Sequence, residues 1–226
     1  MYGNYNNTGM QQVSENTMAR VMRLVYLKMT IGLAVSGLVA WLFQFMTIST
    51  PLMWGLVIAE FVLVFAISGA INKLSTAMGT FLFILFAVVN GLMLSSIFMV
   101  YTTVSIVKTF LITAGTFGAM SVYGYTTGKD LSRMGNILFM ALVGLIIVSI
   151  VNLIWPNGTL YWLISGAGVL IFVGLTAWDT QTIKRMAAYA PAGQEGRIAT
   201  LGALSLYLDF INLFLYLLRF FGSSRD

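Results

Sequence analysis

The stretch Ser205–Gly222, "SLYLDFINLFLYLLRFFG", decides how this chain is read. Thirteen of its eighteen residues are Leu, Ile, Phe or Tyr, yet Asp209 stands among them with no cation within a helical turn. A membrane-crossing helix needs roughly 20 apolar residues, and this stretch has that character apart from the one carboxylate. The rest of the chain agrees. Of 226 residues 59% are hydrophobic and only 8% charged, with a mean hydropathy of +0.90. A soluble domain carries about 25% charged residues, so this chain cannot cover a water-facing surface and reads as an integral membrane protein in contact with a lipid bilayer. Its pI near 9.6 comes from twelve Lys and Arg. No arginine-rich run or basic-aromatic stripe accompanies them, which speaks against a nucleic-acid partner, and they mark cytoplasmic loops instead.

Cysteine and histidine are both missing. That excludes disulfides, thiolate or imidazole metal sites, cysteine nucleophiles and a Ser-His-Asp triad. No cofactor is implied, beyond Ca²⁺ as a permeant or bound ion. The opening "MYGNYNNTGMQQVSENT" has no apolar core and is no secretory signal. It reads as a cytosolic tail over residues 1–23 that becomes helical near Ser14, with Ser14 as N-cap and Glu15 in the first turn. Residues 24–222 form the membrane domain and 223–226 a short C-terminal tail.

Three long runs have no charge: between Lys28 and Glu60, Leu74 to Val107, and Met134 to Trp178. Each is divided by turn residues, "TISTP" ending at Pro51, "VYTTVS" around Tyr101, and "WPNGT" from Trp155 to Thr159. The result is seven spans, roughly 25–46, 52–73, 76–100, 105–126, 134–155, 160–186 and 200–221. The fold class is therefore an all-α integral membrane bundle of seven helices. Barrel strands are excluded, because the runs lack alternation and exceed about ten residues. Basic residues precede the first span (Arg20, Arg23, Lys28) and follow the second (Lys73), fourth (Lys129, Arg133) and sixth (Lys184, Arg185, Arg197). Lys108 is the exception among the intervening connections. The positive-inside rule puts the amino terminus in the cytoplasm, and seven spans put Arg219 and Arg225 on the disfavoured side. A re-entrant last segment is the alternative. Gly32, Ser36, Gly115, Gly118, Gly166 and Gly168 suit close helix packing in lipid. The similar pentapeptides "GLVAW" (Gly37–Trp41) and "GLTAW" (Gly174–Trp178) are too short to establish a repeat.

Three acids fall inside spans, Glu60, Asp179 and Asp209. Each costs about 2.5–3.5 kcal/mol at a helix centre on insertion scales, so each should face the bundle interior or a wet cavity. The sixth helix descends toward the cytoplasm and the seventh rises from it, which puts Asp179 and Asp209 both about 13–15 Å from their cytoplasmic ends at 1.5 Å per residue. Carboxylates at matching depth on antiparallel neighbours can meet. Such a pair shares one proton, since both cannot ionise cheaply at low dielectric. Raising the pH leaves two repelling charges, relieved by separation or by a hard cation such as Ca²⁺. The alternative is that each acid simply hydrogen-bonds Thr176, Asn212 or a backbone carbonyl. Glu60 either continues a polar path or binds Asn90 or Asn152. Lys73, Arg185 and Arg197 read as solvated charges, one of which could lock a closed state by pairing with an aspartate.

Three stretches carry a resemblance: "MRLVYLKMTIGLAVSGLVAW", "GLTAWDTQTIKRM" and "ALSLYLDFINLFLYLLRFFG". The chain resembles the Bax inhibitor-1 (transmembrane Bax inhibitor motif) family, as a bacterial member, over nearly the whole membrane domain. The resemblance implies a seven-helix bundle whose last helix is central and wrapped by the other six. It implies that Asp179 and Asp209 match the paired aspartates of a pH-responsive gate for Ca²⁺ leak. Some members carry an arginine late in the second helix that contacts the pair; the nearest basic residue here is Lys73, a point charge without arginine's bidentate fork. Bacterial members are associated with membrane-protease modulation and eukaryotic ones with stress and cell-death control. A role as a membrane interaction protein with structural acids is thus the rival to an ion leak. An intramembrane aspartyl protease is disfavoured, since "AWDTQ" and "YLDFI" lack the "YD" and "GxGD" contexts, and the expectation is no enzyme. A retinal protein would need a lysine in the last span, where there is none.

Overall fold

In a computed structural model the chain is described from residue 4 to 71 and from 73 to 223, with side chains from Glu15 onward. Eight helices occupy the described residues: α1 (Asn4–Leu42), α2 (Thr50–Ala70), α3 (Thr76–Leu94), α4 (Ile97–Val100), α5 (Thr103–Thr126), α6 (Ser132–Ile154), α7 (Gly158–Ala188) and α8 (Glu195–Phe221). With α3 and α4 taken together, seven stretches are long and apolar enough to cross a membrane. Six lie close to the spans expected from the uncharged runs, and the first, Glu15–Leu42, begins and ends earlier than the expected 25–46.

The helix ends follow from local chemistry. Pro51 lies in the first turn of α2, where its missing N–H deprives no carbonyl of a bond. The Ser75 hydroxyl accepts the Met78 N–H at the start of α3, and the Thr102 hydroxyl accepts the Ser105 N–H at the start of α5. The third span is interrupted at Ser95–Ser96. The Ser95 and Ser96 hydroxyls donate to the Leu92 and Met93 carbonyls at 2.7 and 2.8 Å, and these short-range bonds close off α3 before α4 begins. The expectation of an N-cap at Ser14 is corrected: α1 runs through Ser14 from Asn4, because no proline stops the helix from extending N-terminally. Between α7 and α8 the backbone turns at Gly193, whose φ of 82° lies in the region that glycine occupies without strain.

Burial separates the helices. Of the most apolar window of α8, 67% is buried, against 6% for α6 and 11% for α2. The C-terminal helix is therefore central, and α2 and α6 turn most of their surface to lipid. At 27 residues α8 is about 40 Å long, enough to cross a bilayer.

Contacts group the chain into two compact units. One holds residues up to Ile97 together with Thr182–Ser205; the other holds Phe98–Gln181 together with the residues from Leu206 on. In the first unit α1 packs on α3. The Ser36 hydroxyl donates to Ala87 O at 2.7 Å, and a Cβ on Gly91 would come within 2.7 Å of Ser36 O. In the second unit Gly124 of α5 lies against the Ala177 backbone, Gly135 of α6 against the Trp178 ring, Gly174 against Leu138, and Gly168 against Tyr216. The expected packing roles of Gly115 and Gly118 are corrected, for both face open space. Which glycines pack depends on helix rotation, and on α5 it is Gly124 that turns inward.

Gly91→Ala should cost about 1–3 kcal/mol, because the new methyl meets backbone that cannot move aside. Gly115→Ala should be neutral or stabilise by up to about 1 kcal/mol through helix propensity alone. Thermal midpoints of the two variants in detergent check the contrast; equal losses would contradict it.

Candidate functional site

The two aspartates come together inside the second unit. Asp209 is 4% exposed on α8, and Asp179 is half-buried on α7. Their side chains share a hydrogen bond, and Asp179 is the charged neighbour that bears on Asp209. The helices around them are held by rings: Phe172 of α7 stacks on Tyr216 of α8 at 5.8 Å, and Phe210 meets Phe110 and Phe117 of α5 at 5.3 and 5.5 Å. A carboxyl can donate a hydrogen bond only in its protonated form, so a direct bond between two carboxyls requires one proton between them. Carboxyls in such contact titrate together, and a proton count then belongs to the pair rather than to either residue.

Thr176 and Asn212 each make a bond within their own helix. The Thr176 hydroxyl donates to Phe172 O at 2.7 Å, and the Asn212 amide donates to Leu208 O at 2.8 Å. Each satisfies its own helix. Asp209 Oδ2 is buried and has no partner among the described residues.

Glu60, in the first unit, accepts from Asn90 Nδ2 at 2.7 Å. Asn152 Oδ1 instead accepts the Asn157 N–H and shapes the α6–α7 turn. Of the two amides considered for Glu60, Asn90 is the one that binds it. Lys73 lies exposed in the turn after α2, Arg185 is exposed near the end of α7, and Arg197 is half-buried in the first turns of α8. Arg185 and Arg197 are each engaged with neighbouring groups. Among the described residues no cluster of three or more acids could hold a metal ion.

Three features escaped the reading of the sequence. Lys28 is no loop charge: its ammonium is half-buried and donates to Thr80 Oγ1 at 2.8 Å, Thr200 Oγ1 at 2.7 Å and Gly196 O at 3.3 Å. Three donors meet three neutral acceptors on α3 and α8. A lysine beside two other basic residues gave no sign of this, and its partners lie 52 to 172 residues away. Gln181 clamps the α5–α6 loop, accepting the Leu131 N–H and donating to Lys129 O at 2.9 and 2.8 Å. Arg219 is sandwiched between the Tyr161 and Tyr216 rings at 5.1 and 5.0 Å, so its charge is met by aromatic faces. Beside it, burial pushes the Tyr101 phenol up; Tyr161 adds to the shift and the Arg219 cation opposes it. Arg225 lies outside the described residues.

Both aspartates and all seven membrane-crossing stretches past residue 18 fall within one match, residues 18–226, to the family described as "Inhibitor of apoptosis-promoting Bax1". The chain belongs to this family. It is 47% identical over 214 residues to the inner membrane protein YbhL of Escherichia coli strain K12, covering 90% of this chain and 92% of YbhL. A protein of Borreliella burgdorferi is 54% identical over 173 residues, 76% of this chain and 75% of the relative. A membrane protein of Streptococcus pyogenes is 38% identical over 210 residues, 88% and 91% of the two chains. The Bax inhibitor-1 resemblance thus holds, and the protein is a multi-pass membrane protein of that family.

In calcium-free buffer, stability should fall as the pH rises through the release of the shared proton, because two like charges are then left in contact. Two carboxylates left in contact without the shared proton repel one another, so raising the pH works against the folded pair. Asp179→Asn with Asp209→Asn keeps a neutral bond and should flatten this dependence. Thermal unfolding across pH measures both, and parallel curves for the two proteins would contradict the shared proton.

Proposed function

We propose that the protein is a pH-responsive leak for cations, Ca²⁺ foremost, in the bacterial cytoplasmic membrane, with the Asp179–Asp209 contact as its proton switch. The observation that carries this reading is the contact of the half-buried Asp179 with the buried Asp209 on adjoining helices. In the protonated pair the bond draws α7 and α8 together. Once the proton leaves, the carboxylates either part or accept a hard cation between them, since oxygen ligands suit Ca²⁺. Two carboxylates without a third acid form a weak site rather than a tight one, and weak binding is what passage requires.

The membrane assignment agrees with the name of the YbhL relative, an inner membrane protein. The N-terminus lies in the cytoplasm on this reading. Arg20, Arg23, Lys184, Arg185 and Arg197 then collect on the cytoplasmic side, as basic residues do. Arg20 is paired there with Glu195 at 2.7 Å. Arg219 occupies the outer end of α8, and its two tyrosine rings offset the disfavoured placement. Lys73 is exposed in the turn after α2 and offers a point charge without the fork of the arginine in some relatives.

Reconstituted in liposomes with an enclosed Ca²⁺ indicator, the purified protein should pass Ca²⁺ at a rate that differs between mildly acidic and neutral pH. Replacing both aspartates by asparagine should remove the pH dependence. Flux that keeps its pH profile in the double variant sinks the switch. A protein inert in this assay that retains a co-purifying membrane protein points to the interaction role instead.

A further inference from the structure

Within the second unit a groove of about 520 Å³ runs between α7 and α8. Gly166, Val169 and Leu170 form one side of it and Leu217, Phe220 and Phe221 the other. No polar side chain lines it, and its volume falls in the range of small-molecule sites, about 300–1,000 Å³. The groove opens outward, since Leu170 is 73% and Phe221 55% exposed. Position 166 keeps it open. A Cβ there would meet only Phe220, at an ordinary contact distance of 3.7 Å. At Gly168, one turn away in the packing, a Cβ would collide with the Tyr216 ring. Packing within the chain therefore demands glycine at 168 but not at 166, where the missing side chain leaves space that the protein itself does not fill.

A cation stands near the end of this groove. Arg219 lies in the last turn of α8, half-buried, with its guanidinium over the Tyr161 and Tyr216 rings. The Tyr161 ring meets Trp162 at 6.3 Å, and Trp162 meets Phe220 of the groove wall at 5.2 Å. A short series of ring contacts thus connects the cation to the slot. Tyr161 belongs to the first turn of α7. Gly166 and Leu170 follow it by about 7 and 14 Å along the helix, deeper in the membrane. The two rings occupy the faces of the guanidinium, while its N–H donors project from the edge of its plane. Among the described residues no carboxylate pairs with it. Open donors at the membrane end of an apolar slot are the complement of a molecule with an anionic head and a hydrocarbon tail.

We propose that the α7–α8 groove holds one chain of an anionic phospholipid whose phosphate is bound by Arg219. The guanidinium fork matches two phosphate oxygens at once. Tyr161 and Trp162 belong at headgroup level, where amphipathic rings collect, and the orientation proposed above puts the site in the outer leaflet. Hydrocarbon gains nothing by leaving other hydrocarbon, so affinity comes from close packing in the slot and from the charged contact at its end. The two parts make separate demands. The slot selects for a chain and the arginine selects for charge. The site stands apart from the aspartate pair, and its existence does not depend on the leak.

Native mass spectrometry of the full-length protein in detergent tests both demands. Phosphatidylglycerol and phosphatidylcholine with identical chains are titrated separately, and the tightest bound lipid is followed. The anionic lipid should bind about tenfold more tightly or better, as a charge-assisted contact allows. Arg219→Gln should erase that preference and leave the weaker binding shared by both lipids, while Arg219→Lys should restore part of it. Gly166→Leu fills the slot and should weaken both lipids about tenfold through lost packing. Gly115→Leu, at a glycine that faces open space on α5, should change neither. If Gly166→Leu fails to fold, Leu170→Trp obstructs the slot from a position that is mostly exposed. A preference for phosphatidylglycerol that survives in Arg219→Gln, or lipid affinity unchanged with the slot filled, overturns the site. So does a protein dimer that is held in place of lipid and lost in Gly166→Leu, which would give the groove to a second copy of the chain.

Discussion

One proton between two carboxyls is the constraint on which the site depends. Asp179 and Asp209 are on different helices, while the Thr176 hydroxyl and one Asn212 amide N–H are each given to their own helix backbone. Low dielectric makes the arrangement sensitive: the bond is strong while the proton is held, and the repulsion is equally strong once it leaves. A salt bridge at the same place would respond less to pH in the mild range, because both partners would keep their charges.

The packing around the pair is rigid on one side. The α7 segment from Gly174 to Trp178 is approached by Gly124 of α5 and Gly135 of α6, each close enough that a side chain would not fit, and Leu138 covers Gly174 itself. Asp179 thus extends from a segment fixed by backbone contact. Asp209 is flanked by rings, Phe210 among Phe110 and Phe117, and Tyr216 on Phe172 one to two turns away. Rings tilt and slide more readily than backbone in contact.

Much of this was legible in the residues. Long uncharged runs announce membrane helices because charge is costly in lipid, so the seven spans followed from where Lys, Arg, Asp and Glu are missing. The meeting of Asp179 and Asp209 followed from counting residues to the helix ends, since rise per residue is nearly constant. What escaped depends on rotation about the helix axis and on distant partners. Gly115 and Gly118 look like packing glycines, yet Gly124 does the packing. Lys28 resembles its basic neighbours Arg20 and Arg23 but turns inward to hydroxyls on α3 and α8. Neither fact is written in local composition. The break at Ser95–Ser96 was written there, as two adjacent serines in an apolar run, but serine is common in membrane helices and carries little weight as a stop.

The tyrosine sandwich around Arg219 bears on the order of assembly. A guanidinium gives up hydration to enter the end of a membrane bundle, and here two ring faces replace that hydration. Tyr216 belongs to α8, but Tyr161 stands at the start of α7. The last helix therefore finds a full berth for its terminal cation only after the preceding one has been seated, and a chain halted before that point would leave Arg219 exposed to lipid with half of its shelter.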